Sequence, residues 1–497
     1  MTISGVSGRT SYIGSGILDL RSQLDTLTQQ LASGKVSNTY AGQGSGRSLA
    51  IGLRSQLSSL AGYADTAVNL NTRISVANLS LQRLVAVGSS VKGAAVSAVS
   101  TIDNTGQTAG QKTASLGFVD SVDMLNAKSG DRYLFSGRAT DTAPVASADA
   151  IMNGNGAQAG LKQLILERKQ ADVGTSGLGR VVLTAPSATS VQIAEDASPS
   201  AFGLKLNAIT STLTGATITQ PTGTPAAMSV DLGATNPADG ESVKFTFNLP
   251  DGTTEDITLT ASTATPLPAN SFAIGANSTA TAANLNAALN TSIGALANGP
   301  LVAASAVTAG GNFFDQPPMR VGTTPLGAAT TLVAGTTANT VSWYNGETGT
   351  DSARGTAVAQ VDQSITVQYG ARANEQALRS QLQTVAVFAA VTTSATNPNA
   401  NAQIAALNQR IAQNLAAVPG TQSIQDIQAD FAGAQASIKA TTDRQTQTKA
   451  ITQTMLDSIE GINNDEVATK ILALQTSLQA SYQTTAKLYQ MSLTKFL

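Results

Sequence analysis

From Ile424 onward, apolar and small residues recur at alternating steps of three and four. The run is Ile424, Ile427, Phe431, Ala434, Ile438, Thr441, Gln445, Thr448, Thr452, Met455, Ile459 and Ile462. A repeat averaging 3.5 residues keeps one stripe on one helix face, so such a helix must lie lengthwise against other helices. The middle of the stripe is polar, which favours one register at a cost in stability. Gly461 to Asp465 interrupts it, and Asn463 with Glu466 three residues later has the form of a capping box that restarts a helix. Val467, Ile471, Leu474, Leu478, Ser481, Thr485 and Leu488 then repeat the spacing. Tyr482, Tyr489 and Phe496 recur every seven residues, and the run closes on the apolar pair Phe496-Leu497, which at the end of a heptad expects a partner.

The N-terminal end carries the same signal at Ile17, Leu20, Leu24, Leu27 and Leu31. A heptad near each end implies that the two meet, with the rest of the chain inserted between them. The Gly/Ser-rich residues 1–14 are expected to be disordered in isolation. Ser33-Gly34-Lys35 reads as a helix stop, with Gly34 in the left-handed position. Ser37 to Ser48 contains Gly42, Gly44 and Gly46 but no phosphate-loop lysine, so it reads as a hinge between helical layers.

A long helix is expected from about Leu49 to Ile102. Its seam runs through Leu53, Leu57, Leu60, Ala64 and Ala67, then Leu70, Ile74, Ala77, Leu81, Leu84, Gly88, Val91, Ala95, Ala98 and Ile102. A second helix, Gln111 to Lys128, presents Phe118, Val122 and Leu125, and a short strand follows through Tyr133 and Phe135. Residues 146–350 change character, with short alternating runs separated by turn residues. The clearest is Val243, Phe245, Phe247 and Leu249, then Pro250-Asp251-Gly252, then Ile257, Leu259 and Ala261, a hairpin. Strands are also expected around Val181–Leu183, Val191–Ile193 and Ile365–Tyr369, and helices over 279–296, 378–389 and 404–415.

The fold class expected is mainly α with an inserted β-rich module: long antiparallel terminal helices form a coiled-coil-like bundle and the central insert is an outer domain. The expected division is 1–35 with 463–497 as an inner helical layer, 36–145 with 351–462 as a helical rod carrying a short hairpin, and 146–350 as the insert. At 497 residues the chain exceeds a single core.

Composition narrows function. With 29 basic and 31 acidic residues there is no basic field for nucleic acid. Only 12% of residues are charged and 4% aromatic. That suits a surface covered by copies of itself, and equally a genome that favours Ala. The chain has no Cys and no His. That removes disulfides, histidine-based nucleophile systems and the usual zinc sites. No apolar run approaches the roughly 20 residues that span a bilayer, and no cleaved leader is visible at the start, so the chain is expected to be cytoplasmic or exported with its N-terminus intact. Asp251, Glu255 and Asp256 read as turn and edge-strand charges, and Asp120 and Asp123 as surface partners of Arg132. No constellation of catalytic, cofactor-binding or metal-ligating residues emerges, so the chain is expected not to be an enzyme.

LDTLTQQLASGKVSNTYAGQGSGRSLAIGLRSQLSSL, Leu24 to Leu60, resembles the N-terminal helix–loop–helix of the bacterial flagellin family, with Leu31-Ala32-Ser33-Gly34 as its turn. The Asp-Asp usual in the family's following loop is replaced by Gly44-Ser45-Gly46. LQTSLQASYQTTAKLYQMSLTKFL, Leu474 to Leu497, is similar to the family's C-terminal helix. Two kinds of member compete. The large low-charge insert resembles that of filament subunits. The end Ser492 to Leu497 and the segment GDRYLFSGRATDTAPV, Gly130 to Val145, look more like the hook-associated protein of the hook–filament junction. Leu81-Gln82-Arg83 resembles the segment innate immune receptors read in some flagellins, and the residues after it depart from that pattern.

The resemblance implies a structural subunit that is exported without a cleaved leader, lies outside the cell in the flagellum and serves motility. Its implied partners are copies of itself in a helical filament, other axial proteins such as hook-associated and cap proteins, and an export chaperone, with neither nucleic acid nor membrane. The assembly interface expected is Ile17, Leu20, Leu24, Leu27, Leu31, Val467, Ile471, Leu474, Leu478, Tyr482, Leu488, Phe496 and Leu497. A secreted rod or adhesin protein outside the flagellum is the rival class.

Overall fold

A computed structural model describes residues 4–97, 101–322 and 325–494. In chain order the helices and strands are α1 (Ser4–Ser33), α2 (Arg47–Val96), α3 (Ala109–Leu125), β1 (Lys128–Ser129), β2 (Arg132–Tyr133), α4 (Ala148–Asn153), α5 (Leu161–Val173), β3 (Val181–Thr184) and β4 (Ser190–Glu195). Then come β5 (Lys205–Ser211), β6 (Thr217–Thr222), β7 (Ala227–Asp231), β8 (Ser242–Asn248), β9 (Thr254–Ser262), β10 (Ser271–Ala273), α6 (Ser278–Asn298), α7 (Pro300–Phe314), β11 (Met319–Val321) and β12 (Leu332–Ala334). The chain continues with β13 (Val358–Asp362), β14 (Ile365–Gln368), α8 (Gln376–Ala390), α9 (Ala400–Asn414), α10 (Ile424–Glu460) and α11 (Asn464–Thr494). The fold is mixed α/β with long helices near both ends. It divides into two compact units, one made of Met1–Asn71, Ala359–Val367 and Gln435–Leu497, the other of Thr72–Val358 and Gln368–Ala434.

Helix α2 follows its seam closely. Leu53, Ala67, Leu70, Ile74, Ala77, Leu81, Leu84, Gly88, Val91 and Ala95 are buried, and Leu57, Leu60 and Ala64 are half-buried. The helix stops at Val96, short of the expected Ile102; Ala98 lies outside the described residues. A turn follows in which Asp103 Oδ1 accepts from the backbone N–H of Thr105 and of Gln107, at 2.8 and 3.1 Å. Such side-chain-to-backbone bonds compete with a helix. Thr108 and Gln111 then exchange the two bonds of a capping box that starts α3.

In the second unit α3 lies on α8, and Phe118, Val122 and Leu125 are buried. Gln381 Nε2 of α8 donates to the Leu84 carbonyl of α2 at 2.6 Å. Asp120 pairs with Arg83 of α2, not with Arg132. Between α4 and β12 the chain is mixed rather than β-rich. Helices α5 and α7 pack together, and α7 also touches α8 and α9. Helix α7 was missed because it is buried nearly all round, which leaves no periodic polar face to detect. Helix α5 was missed because Glu167, Arg168 and Asp172, which read as surface charges, lie inward. The stretch Ser278–Phe314 is long and apolar enough to cross a membrane, yet 67% of its most apolar window is buried in the protein's own core.

Two four-stranded sheets, ordered β3-β4-β7-β6 and β10-β9-β8-β5, share one core with α6. The β8–β9 hairpin forms as expected, with Val243, Phe245, Phe247, Leu249, Ile257, Leu259 and Ala261 buried. At its corner Gly252 takes a φ of 81°, and Leu249 N–H donates to Thr253 O at 2.8 Å. Asp251 departs from expectation. Its side chain is buried and pairs with the equally buried Arg410 of α9 at 2.6 Å. The strand expected through Tyr133 and Phe135 is shorter than read: β2 ends at Tyr133, while Phe135 is fully buried in the loop that follows.

Candidate assembly interface

In the first unit α1 and α11 lie against each other. They meet where Lys35 and Gly461 form an antiparallel bridge and Ile462 N–H donates to Gly34 O at 3.2 Å. Gly34 takes the left-handed φ of 69° that the helix stop required, with its N–H on Gln30 O. From that point the helices run antiparallel. Thr26 and Leu27 share a groove of about 500 Å³ with Lys470 and Leu474, and Ser22 and Gln23 share it with Ser477.

The seam residues face this contact. On α1, Ile17, Leu20, Leu24 and Leu27 are half-buried, as are Ile13 upstream and Gln30, while neighbouring positions are exposed. The helix is already formed from Ser4, so residues expected to be disordered belong to it. On α11, Val467 and Leu478 are buried and Ile471 and Leu474 are half-buried, followed by half-buried Ser481 and Thr485. Asn463 Oδ1 accepts from the N–H groups of Asp465 and Glu466, which supplies half of the expected capping box; Glu466 pairs with Lys470 instead of returning the bond.

Three expected interface residues do not face the pair. Leu31 is 41% exposed and Leu488 46% exposed, and Tyr482 is half exposed. Phe496 and Leu497 lie outside the described residues. Leu31 loses its place to Gln30, whose Nε2 donates to Val36 O at 2.7 Å as the chain leaves α1. Tyr12, Leu18, Leu472 and Tyr489 are also exposed, so each helix buries one stripe and shows apolar side chains on its other faces.

On α10 the polar seam is real. Thr441, Gln445 and Thr452 are buried, and Gln445 Nε2 donates to Val361 O at 2.7 Å. At the helix end the seam slips by one residue: Met455 is exposed and Leu456 is buried with Ala50 and Leu53 of α2. Glu460 follows and is the residue that sequence reasoning missed. It accepts from Arg54 Nη2 at 2.6 Å and Gln43 Nε2 at 3.1 Å, with Lys35 Nζ at 3.9 Å. Its carbonyl takes the N–H of Val36 at 2.7 Å. The guanidinium of Arg54 also lies over the Tyr40 ring. One carboxylate thus ties down the glycine-containing loop read as a hinge. No spacing rule connects Glu460 to residues some four hundred positions earlier.

Burial pushes the Glu460 carboxyl up, and the Arg54 guanidinium, Gln43 amide and Lys35 ammonium outweigh it, leaving the group below the usual glutamate range. A carboxylate with a depressed folded pKa contributes fully above the unfolded value of about 4.3, and that contribution is lost as pH falls through the folded pKa. Glu460→Gln is therefore expected to weaken the latch by about 1–2 kcal/mol at neutral pH and by progressively less below pH 4. Amide hydrogen exchange at Val36 and Ile462 reads this directly; unchanged protection at pH 7 would remove the latch.

Among the described residues no group of His, Cys, Asp and Glu is placed to hold a metal ion. The unit offers instead a paired helix surface, a polar buried seam and a clamped loop. Compared with known proteins, the chain matches no family model and no curated protein.

Proposed function

We propose that this chain is a self-assembling structural subunit of the bacterial flagellum, exported to the cell exterior and used in motility. The observation that carries the reading is the α1–α11 pair. Two long helices near the chain ends cover one stripe of each other and leave apolar side chains on the faces that remain. Exposed apolar residues grouped on paired helices favour association with further helices. A partner made of the same chain, joined through unlike surfaces whose rotation does not close, gives an open helical polymer. The resemblance of residues 24–60 and 474–497 to the flagellin family supports the same reading.

Negative-stain microscopy of the purified chain under assembly conditions tests it. Long tubes are the expected outcome for a filament subunit. Short assemblies on hook ends, with immunogold label confined to the hook–filament junction, would assign it to the junction. Dispersed particles at every concentration would overturn both.

A further inference from the structure

Most arginines of the second unit have an acidic partner. Arg168 pairs with Asp172, Arg180 with Asp196, Arg320 with Glu167, Arg354 with Glu375 and Arg410 with Asp251. Arg73, Lys128 and Arg132 differ: among the described residues none of the three forms an ion pair. They are not scattered. Arg73 of α2 and Arg132 of β2 line one small cavity together with Tyr133, Thr140 and Tyr369. Lys128 sits opposite Tyr133 in the β1–β2 register, its Nζ 4.3 Å from the centre of that ring. Arg73 is half-buried, and its Nη1 donates to Tyr369 Oη at 3.3 Å, which spends one of its five donors. Asp131, in the β1–β2 turn, is exposed and pairs with none of them. Glu347 approaches the same wall at Gly137 and is already committed to the Arg138 guanidinium and the Arg138 N–H.

Arg73 and Arg132 line the cavity without an ion pair, Arg132 being exposed and Lys128 seated on the Tyr133 ring beside it, so the half-buried Arg73 is the cation best placed to take an anion. The cavity, about 30 Å³, has room for one small polar group and excludes a sugar ring or a nucleotide. A planar guanidinium fork with free N–H donors matches a carboxylate. We infer that this pocket receives the carboxylate of an aspartate or glutamate from a second copy of the chain. The inference rests on the self-assembly reading for its occupant. Charge complementarity supports that occupant: Asp19, Asp25 and Asp65 are exposed and form no ion pair among the described residues. The pocket then acts as an electrostatic register mark between subunits, separate from the apolar terminal helices.

The test uses the full chain in two measurements. Under dissociating conditions, the monomer carrying 13Cζ-labelled tyrosine is titrated with sodium acetate against sodium chloride at equal ionic strength. Saturable shifts of Tyr133 and Tyr369 with acetate alone are expected, and their loss in Arg73→Gln. Shifts no larger than those with chloride overturn the pocket. Under assembly conditions, the critical concentration of R73Q/R132Q is expected to rise about tenfold, with a weaker dependence on salt, since a charge-assisted bond between subunits has been removed. A double variant that assembles like the wild type while the wild-type monomer binds acetate overturns the second-copy occupant and leaves the assembly reading standing. A wild-type chain that binds acetate but never self-associates overturns the occupant together with that reading.

Discussion

Removal of Val467 to Leu497 is expected to abolish polymer formation while most of the chain stays folded. Helix α11 supplies Val467, Ile471, Leu474 and Leu478, the side chains that cover the stripe of α1. Without them Ile17, Leu20, Leu24 and Leu27 face water. A 30-residue helix with no lateral partner is marginal, because nucleation is costly and its stability comes from tertiary packing. The contacts that tie α2 to α10 do not involve α11: Ala50, Leu53 and Leu456 pack together, and Glu460 holds Arg54 and Gln43. The second unit has its own sheets and helices and contains no residue of the deleted segment. Circular dichroism should therefore show lost helix amounting to α11 and much of α1, with a retained cooperative transition. Sedimentation should show a monomer at concentrations where the full chain polymerises. Filaments built by the truncated chain would sink the proposal that these helices form the subunit contacts.

The largest stability effect is expected at Asp251. Its Oδ2 receives Arg410 Nε at 2.6 Å, and its Oδ1 receives the N–H and hydroxyl of Thr253 at 3.1 and 2.7 Å. Arg410 also donates through Nη2 to Thr253 Oγ1 and through Nη1 to Ala406 O. Both charged side chains are only 4% exposed. Asp251→Ala leaves the buried guanidinium with only the more exposed Glu255, 3.6 Å from its Nη2, as counter-charge, and breaking a buried pair from one side costs about 3–5 kcal/mol. Replacing both partners removes the stranded charge, so D251A/R410M should recover much of that loss. Urea unfolding of the wild type and the two variants, followed by exchange protection of β8 and β9, gives the values. A single variant within about 0.5 kcal/mol of the wild type, the range of ordinary surface substitutions, would show that the pair contributes nothing to stability.

Much of the architecture was legible because periodicity reports burial directly. The α2 seam from Leu53 to Ala95, the α11 seam from Val467 to Leu478 and the alternation of Phe245 and Phe247 each give the correct face of the correct element. The signal failed where burial had no period. Helix α7 is covered nearly all round, and α5 turns charged residues inward because Arg168, Asp172 and Glu167 find partners there. It also failed by one residue in two places, once through a polar contact and once through a shift of the apolar stripe. Gln30 displaces Leu31 by bonding Val36, and Leu456 displaces Met455 beside Ala50 and Leu53.

What the amino-acid order determined alone is where helices run and which stripe of each is covered, since a repeat of 3.5 or 3.6 residues is a local property of the chain. Only tertiary structure decided which distant charges meet: Glu460 with Arg54, Asp251 with Arg410, and Asp120 with Arg83 in place of Arg132. The reason is physical. An isolated charge carries no mark of its partner, and its burial becomes affordable only when folding brings the opposite charge within hydrogen-bonding distance.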